Sequence, residues 1–181
     1  MKYLLLLTLF FVSCKGQNFR KNSDCNVIET KKIEEFDRVY ENIIMPDNYK
    51  NIINGNDASN NYEVILFITG DNSDGSITIL KNNDKKNIGY KNYFKTNQSL
   101  SFKEKDFKTI SENLELLNYG LYYENCKKET SKNIYLLIVK KNGIVVSKYL
   151  TYHSLNFEKS QSNGNLNYLK NILEIMYRNS W

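Results

Sequence analysis

The fold is decided by the stretch Ile134-Tyr135-Leu136-Leu137-Ile138-Val139-Lys140-Lys141-Asn142-Gly143-Ile144-Val145-Val146-Ser147-Lys148-Tyr149-Leu150-Thr151-Tyr152. Two runs rich in apolar and β-branched residues, 134–139 and 144–152, flank a short polar segment, a pattern typical of paired strands. The segment ends in Asn142-Gly143, the dipeptide that tight two-residue hairpin turns prefer. The stretch therefore predicts a β-hairpin.

Earlier in the chain, three further segments are predicted to be strands. Residues 64–68 form a continuous apolar run, which is typical of a strand covered on both faces. Turn-forming residues at 71–75 separate this run from a partner strand at 77–80. Residues 85–94 are predicted to form another strand, and their polar character places it at the edge of the sheet.

Three helices are predicted around these strands. Apolar residues spaced three and four apart predict one from Thr30 to Met45, ended by Pro46, and a short helical turn follows around Tyr49. Ser101 and Glu104 have capping-box spacing before a second helix that runs toward Gly120. The third helix, from Asn165 to Arg178, carries a core-facing apolar stripe: Leu166, Leu169, Ile172, Leu173, Met176 and Tyr177.

This order of elements predicts an α+β fold, an antiparallel sheet of about five strands with about three helices packed on one face. The other face would then be open to solvent. Tyrosine is frequent, with 14 copies, and Tyr90 and Tyr149 fall in predicted strands. An exposed aromatic face of this kind would suit a partner or a ligand, whereas half-buried strand tyrosines are the plainer interpretation.

The N-terminal segment has the layout of a secretory signal peptide. Lys2 precedes an apolar run from Tyr3 to Val12 that is interrupted only by Thr8 and followed by Ser13. A helix that crosses a bilayer needs about 20 apolar residues, twice the length of this run. A short positive region, a brief apolar core and a small residue are instead typical of a cleaved export signal.

The residues Val12-Ser13-Cys14 resemble the lipobox of bacterial lipoproteins, although Phe11 stands where that family usually has Leu. The resemblance implies cleavage before Cys14 and attachment of lipid to its thiol, which would anchor the protein in a membrane. Lys15, where the family's inner-membrane members tend to have Asp, implies the outer membrane. We therefore expect a signal peptide at 1–13, a lipid-anchored flexible tether at 14–24 and a single globular domain at 25–181. An unmodified secreted protein is the alternative.

Two other cysteines remain, Cys25 and Cys126. An even number of cysteines in an oxidising compartment favours a disulfide, and two free thiols are the alternative. The net charge of +5 is mild, and acidic and basic residues are mixed along the chain. This pattern argues against a nucleic-acid partner, because proteins that bind nucleic acids carry Lys and Arg clustered on one face.

Catalytic and metal signals are weak. His153 is the single histidine, so a Ser-His or Cys-His mechanism would have to use it as the base. Asp71 and Asp74 offer oxygen ligands, but the loop lacks the spacing of a calcium-binding EF-hand. No motif for a cofactor is present in the sequence.

Two functions follow as hypotheses. The first is a non-enzymatic, lipid-anchored envelope protein that binds a protein or glycan partner, which includes an inhibitor or immunity-type protein. The alternative is a small periplasmic hydrolase that uses His153 with a carboxylate or with Cys126.

Overall fold

The computed structural model describes residues 25–41, 43, 45–70, 75–83, 86–93, 96–126, 133–152, 160 and 162–181. Within these residues, eight strands form one sheet and four helices pack against it. The strands are β1 (Cys25–Thr30), β2 (Tyr62–Thr69), β3 (Ser76–Asn83), β4 (Lys86–Tyr93), β5 (Thr96–Leu100), β6 (Gly120–Cys126), β7 (Ile134–Lys141) and β8 (Ile144–Tyr152). The helices are α1 (Ile33–Tyr40), α2 (Asp47–Asn54), α3 (Glu104–Leu116) and α4 (Gly164–Arg178). None of these four helices has the length and apolar character needed to cross a membrane.

The sheet has the strand order β1-β6-β8-β7-β2-β3-β4-β5. It is mixed, because β6 and β8 run parallel whereas the other neighbouring pairs are antiparallel. The prediction of an antiparallel sheet of about five strands with about three helices is therefore wrong. Edge strands account for part of the difference, since β1 and β5 are short and largely exposed and carry little apolar pattern.

The predicted hairpin forms at the centre of the sheet and is confirmed. β7 pairs with β8, and the turn between them contains Asn142 and Gly143 with φ values of 49° and 77°. Positive φ at both positions gives the turn twist that matches right-twisted strands. On its other side β7 pairs with β2, the predicted fully covered strand, whose side chains are buried on both faces.

Helices cover both faces of the sheet, so the expectation of a single helical layer is wrong. On one face, α3 and α4 pack over a cluster that includes Leu66, Leu80 and Leu137. On the other face, α1 and α2 pack over a second cluster that includes Ile65 and Leu136. Consecutive residues of β2 and of β7 are buried on opposite faces, and each face needs its own apolar cover.

The two tyrosines named for an open aromatic face, Tyr90 and Tyr149, do not form one in the described part of the sheet. Tyr149 is 1% exposed within the α3–α4 cluster. Tyr90 is partly buried against the α1–α2 cluster. The plainer interpretation, tyrosine as a packed strand residue, applies to both.

Helix α4 is confirmed with its predicted stripe facing the core. The Asn163 side chain caps it by accepting a hydrogen bond from the Leu166 amide. For α3 the predicted capping box is wrong, because Lys103 is the N-cap and makes no side-chain capping bond. Gly120 does not cap this helix either, since α3 ends at Leu116 and Gly120 begins β6.

The predicted first helix is shorter than expected. Thr30 ends β1, α1 spans Ile33–Tyr40, and the helical turn predicted around Tyr49 is the separate helix α2. The strand predicted at 85–94 forms as β4, but it is not the edge of the sheet. β5 pairs along its outer side and takes the edge position.

Candidate functional site

The residues singled out from the sequence fall into two groups. Cys25 and Cys126 lie in the described part of the chain. Cys14, His153 and the acidic residues Asp71 and Asp74 lie outside the described residues. Lipidation, the lone histidine and the oxygen-ligand loop therefore stay predictions.

Cys25 and Cys126 are joined by a disulfide with a sulfur–sulfur distance of 2.07 Å. They are the first register pair of β1 and β6, so the bond ties the start of the edge strand β1 to the end of its neighbour. Because its sulfur is already bonded, Cys126 carries no free thiol. The version of the hydrolase hypothesis that used Cys126 as nucleophile does not fit this state.

Glu124 lies beside the disulfide, with ligand atoms of Cys25, Glu124 and Cys126 all within 4.8 Å of one another. Metal ions bind thiolates, so these three residues do not form a metal site while the two sulfurs are joined. The carboxylate of Glu124 instead accepts hydrogen bonds from the Tyr149 hydroxyl at 2.9 Å, the Thr151 hydroxyl at 2.6 Å and the Tyr152 amide at 3.2 Å. Burial, and then the negative charge of Glu124, raise the pKa of Tyr149.

A buried cation lies beneath α1. The ammonium of Lys148, on β8, contacts the Asp37 carboxylate at 2.6 Å and the Tyr40 hydroxyl at 3.1 Å. It also lies 5.5 Å from the centroid of the Phe36 ring and 5.3 Å from that of Tyr40. Burial, reinforced by the hydrogen bond and charge of Asp37, raises the pKa of the Tyr40 hydroxyl. Lys148 thus joins α1 to the sheet through charge and ring contacts.

A second charged cluster lies at the end of α2. The ammonium of Lys140 donates to the carbonyl oxygens of Gly55 at 2.6 Å and Ile52 at 3.3 Å, and it pairs with Glu63 at 3.3 Å. Glu63 also pairs with Lys81 at 3.1 Å. Carbonyls at a helix C-terminus favour a positive charge, although burial lowers the pKa of Lys140.

These three clusters share one property, which is that their buried charges are met by groups of the protein itself. Removing one member of such a cluster would leave an uncompensated buried group, so each cluster has an evident role in holding the fold. Glu124 anchors β8 to β6, Lys148 anchors α1, and Lys140 anchors α2.

A group of exposed side chains lies near the β5 edge of the sheet, at the end of α4. Trp181 is 82% exposed and Tyr93 is 46% exposed, and the ammonium of Lys91 lies 5.0 Å and 5.6 Å from the centroids of their rings. Gln98 is the register partner of Lys91 on β5 and is exposed, so its side chain is on the same face. We call Lys91, Tyr93, Gln98 and Trp181 the Trp181 surface.

Sequence reasoning missed this surface. It selected Tyr90, whereas Lys91 and Tyr93 fall on the other face of the same strand, because side chains alternate along a strand. The signal in the sequence is the lone tryptophan, Trp181, which follows the polar residues Arg178-Asn179-Ser180. Tryptophan is one of the residue types enriched at binding surfaces.

Comparison with known proteins identifies no relative: no family model, curated protein or solved structure matches the chain.

Proposed function

We propose that this chain is a lipid-anchored protein of the bacterial cell envelope, and that its domain binds a protein or glycan partner outside the cytoplasm without catalysing a reaction. Lipid on Cys14 would hold it, with the outer membrane favoured by Lys15. Neutralisation of a toxin delivered into the periplasm would be one form of this binding.

The observation that supports the proposal is the Cys25–Cys126 disulfide. Disulfides persist in the periplasm and outside the cell, whereas cytosolic thiols are kept reduced. β1 is the first described element after the tether, and its N-terminal residue Cys25 is the one that is cross-linked.

A binding role is supported by how the charged residues are used. The clusters around Glu124, Lys148 and Lys140 hold elements together, whereas the Trp181 surface combines exposed rings with a cation. Exposed aromatic residues beside a cation are the composition that recognition surfaces favour.

Metabolic labelling with radioactive palmitate tests the anchor. The native protein should take up label and partition into detergent, and the Cys14→Ser variant should lose both properties. Cys25→Ser is the matched control, because removing a different cysteine should leave the label in place. An unlabelled native protein, or a Cys14→Ser variant that is processed and partitioned like the native one, would refute the anchor.

Alkylation under non-reducing conditions tests the compartment. Mass spectrometry of the exported protein should find Cys25 and Cys126 protected from iodoacetamide, and reduction should expose both. Two thiols that react freely before reduction would contradict the export proposal.

A further inference from the structure

We propose that the Trp181 surface binds an anionic glycan, with a sugar ring stacked on Trp181 and a sugar carboxylate held by Lys91. This inference deepens the proposed binding function, on which it rests, by naming the chemical class of the partner.

The aromatic part of the surface is exposed but held in position. The Trp181 ring packs edge-on against Tyr177, with centroids 6.1 Å apart, and Tyr177 packs in the same way against Tyr135 at 5.8 Å. The preceding residue, Ser180, is 1% exposed and donates its hydroxyl to the Met176 carbonyl at 2.7 Å. A ring fixed before binding loses little conformational entropy when a ligand covers it.

The charged part of the surface has capacity for an anion. An ammonium group has three donors, and Lys91 donates one hydrogen bond to the Ser180 carbonyl at 2.7 Å. No carboxylate in the described part of the chain forms an ion pair with Lys91. A ligand carboxylate could therefore take the remaining donors, in a charge-assisted hydrogen bond.

The mixture of groups favours a saccharide over a protein. Two exposed rings provide only a small part of the roughly 800 Å² of surface that each partner buries in a stable protein interface. A sugar presents a C–H face that fits the negative face of the Trp181 ring. Its hydroxyls fit the Gln98 amide, which both donates and accepts hydrogen bonds. Lys91, which pairs with no carboxylate in the described part of the chain, favours a sugar that carries a carboxylate.

Intrinsic fluorescence gives a direct test, because Trp181 is the single tryptophan of the chain. The purified full-length exported protein is titrated with trigalacturonic acid and with a hyaluronan hexasaccharide. The control is the methyl ester of trigalacturonic acid, which keeps the sugar rings and removes the charge. We expect both acids to change the emission of Trp181 and the ester to bind about tenfold more weakly, the effect of losing one charge-assisted hydrogen bond.

Variants separate the two parts of the surface. Lys91→Gln should weaken binding of the acid about tenfold, to the level of the ester, and Lys91→Arg should restore it. Lys108→Gln is the charge-matched control on the exposed side of α3 and should bind like the native protein. Trp181→Phe, measured by calorimetry, should weaken binding of acid and ester alike. Unchanged melting temperatures should show that each variant is folded.

Three results would overturn the inference: equal affinity for acid and ester, unchanged affinity of Lys91→Gln, or no response of Trp181 to either acid up to about 10 mM, weaker than specific recognition requires. Capture of a protein partner at Trp181 without sugar binding would overturn it too. Palmitate labelling and thiol protection are measured separately, so a labelled, oxidised protein that ignores the acids would reject the glycan and leave the anchored binding protein standing.

Discussion

Replacing both cysteines, as Cys25→Ser/Cys126→Ser, tests how much of the stability depends on the disulfide. The bond links residues separated by 101 positions, so it closes a very long loop in the unfolded chain. For a loop of about 100 residues the chain-entropy model gives a contribution of about 4.7 kcal/mol. A domain of this size has a free energy of unfolding of about 5–15 kcal/mol, so the expected loss is a large part of the total.

The loss should begin at β1. Asn26, Val27 and Glu29 are exposed, and within this edge strand only Thr30 is buried. Without the cross-link, β1 is held mainly by its backbone hydrogen bonds to β6 and should detach first. Early detachment lowers the cost of losing the bond, so 4.7 kcal/mol is an upper limit.

Thermal unfolding and hydrogen exchange together measure both effects. We expect the melting temperature to fall by up to roughly 10–20 °C, given about 2–4 °C per kcal/mol for a domain of this size. Amides of β1 should exchange first, while those of β2 and β7 stay protected. Val27→Ala, at an exposed site on the same strand, is the control and should change stability by less than about 0.5 kcal/mol. A double-serine variant that melts within about 3 °C of the oxidised protein, with β1 still protected, would refute the reasoning.

Three other perturbations have defined outcomes. Asp37→Ala should lower the free energy of unfolding, measured by chemical denaturation, by about 2 kcal/mol, because it leaves the Lys148 ammonium, whose side chain is 6% exposed, without its carboxylate. Lys148→Met should lower it by less than about 1 kcal/mol, because the Asp37 side chain is 45% exposed and water can solvate it. Equal losses would contradict this asymmetry. The free energy of unfolding should fall as pH rises above about 10, because the raised pKa of Tyr149 keeps it protonated in the folded state while the unfolded tyrosine ionises. The contribution of Tyr149 to stability is fully present below the pKa of the unfolded tyrosine and is lost as pH rises above it. Tyr149→Phe should reduce the slope of the free energy of unfolding against pH by about 1.4 kcal/mol per pH unit. An unchanged slope would contradict this assignment to Tyr149. Gly143→Ala should cost about 1–2 kcal/mol in a urea melt, because φ is +77° there, whereas Ile144→Ala should cost little.

The parts of the fold that could be predicted carry their signal locally. Asn142-Gly143 identifies its own turn, and the spacing of Leu166, Leu169 and Leu173 identifies the buried side of α4 without reference to the rest of the chain. β5 has no such signal, since Thr96 to Ser99 are polar and form a strand because β4 lies beside them. A short window of sequence contains no information about which distant segment a strand will pair with.

The sequence indicates a sheet covered on both faces, which the prediction of a single helical layer misses. Leu136 and Leu137 point to opposite faces and are both buried, as the continuous apolar run 134–139 indicates. The same pattern at 64–68 predicts a strand covered on both faces. Applied to both strands, it predicts a sheet between two helical layers, because each apolar face must be kept from water.

The candidate site was harder to predict, because its parts meet only in three dimensions. Cysteine count was enough to name Cys25 and Cys126 as a possible pair, with free thiols as the alternative. The Trp181 surface joins β4 to the end of α4, and nothing near Lys91 in the sequence indicates a tryptophan beside it.

The proposed point of attachment and the Trp181 surface lie at opposite sides of the sheet. β1, which would follow the proposed tether, and β5, which carries Gln98, are the opposite edges of the eight strands. At about 4.8 Å between neighbouring strands, the edges lie about 34 Å apart. A flexible tether of the length of residues 15–24 would have a mean extension of only about 17 Å, so an anchored domain would stay near the bilayer. Its binding surface, on β4, β5 and the end of α4, would nevertheless lie near the far edge of the sheet, so a glycan would not compete with the membrane for the edge at β1.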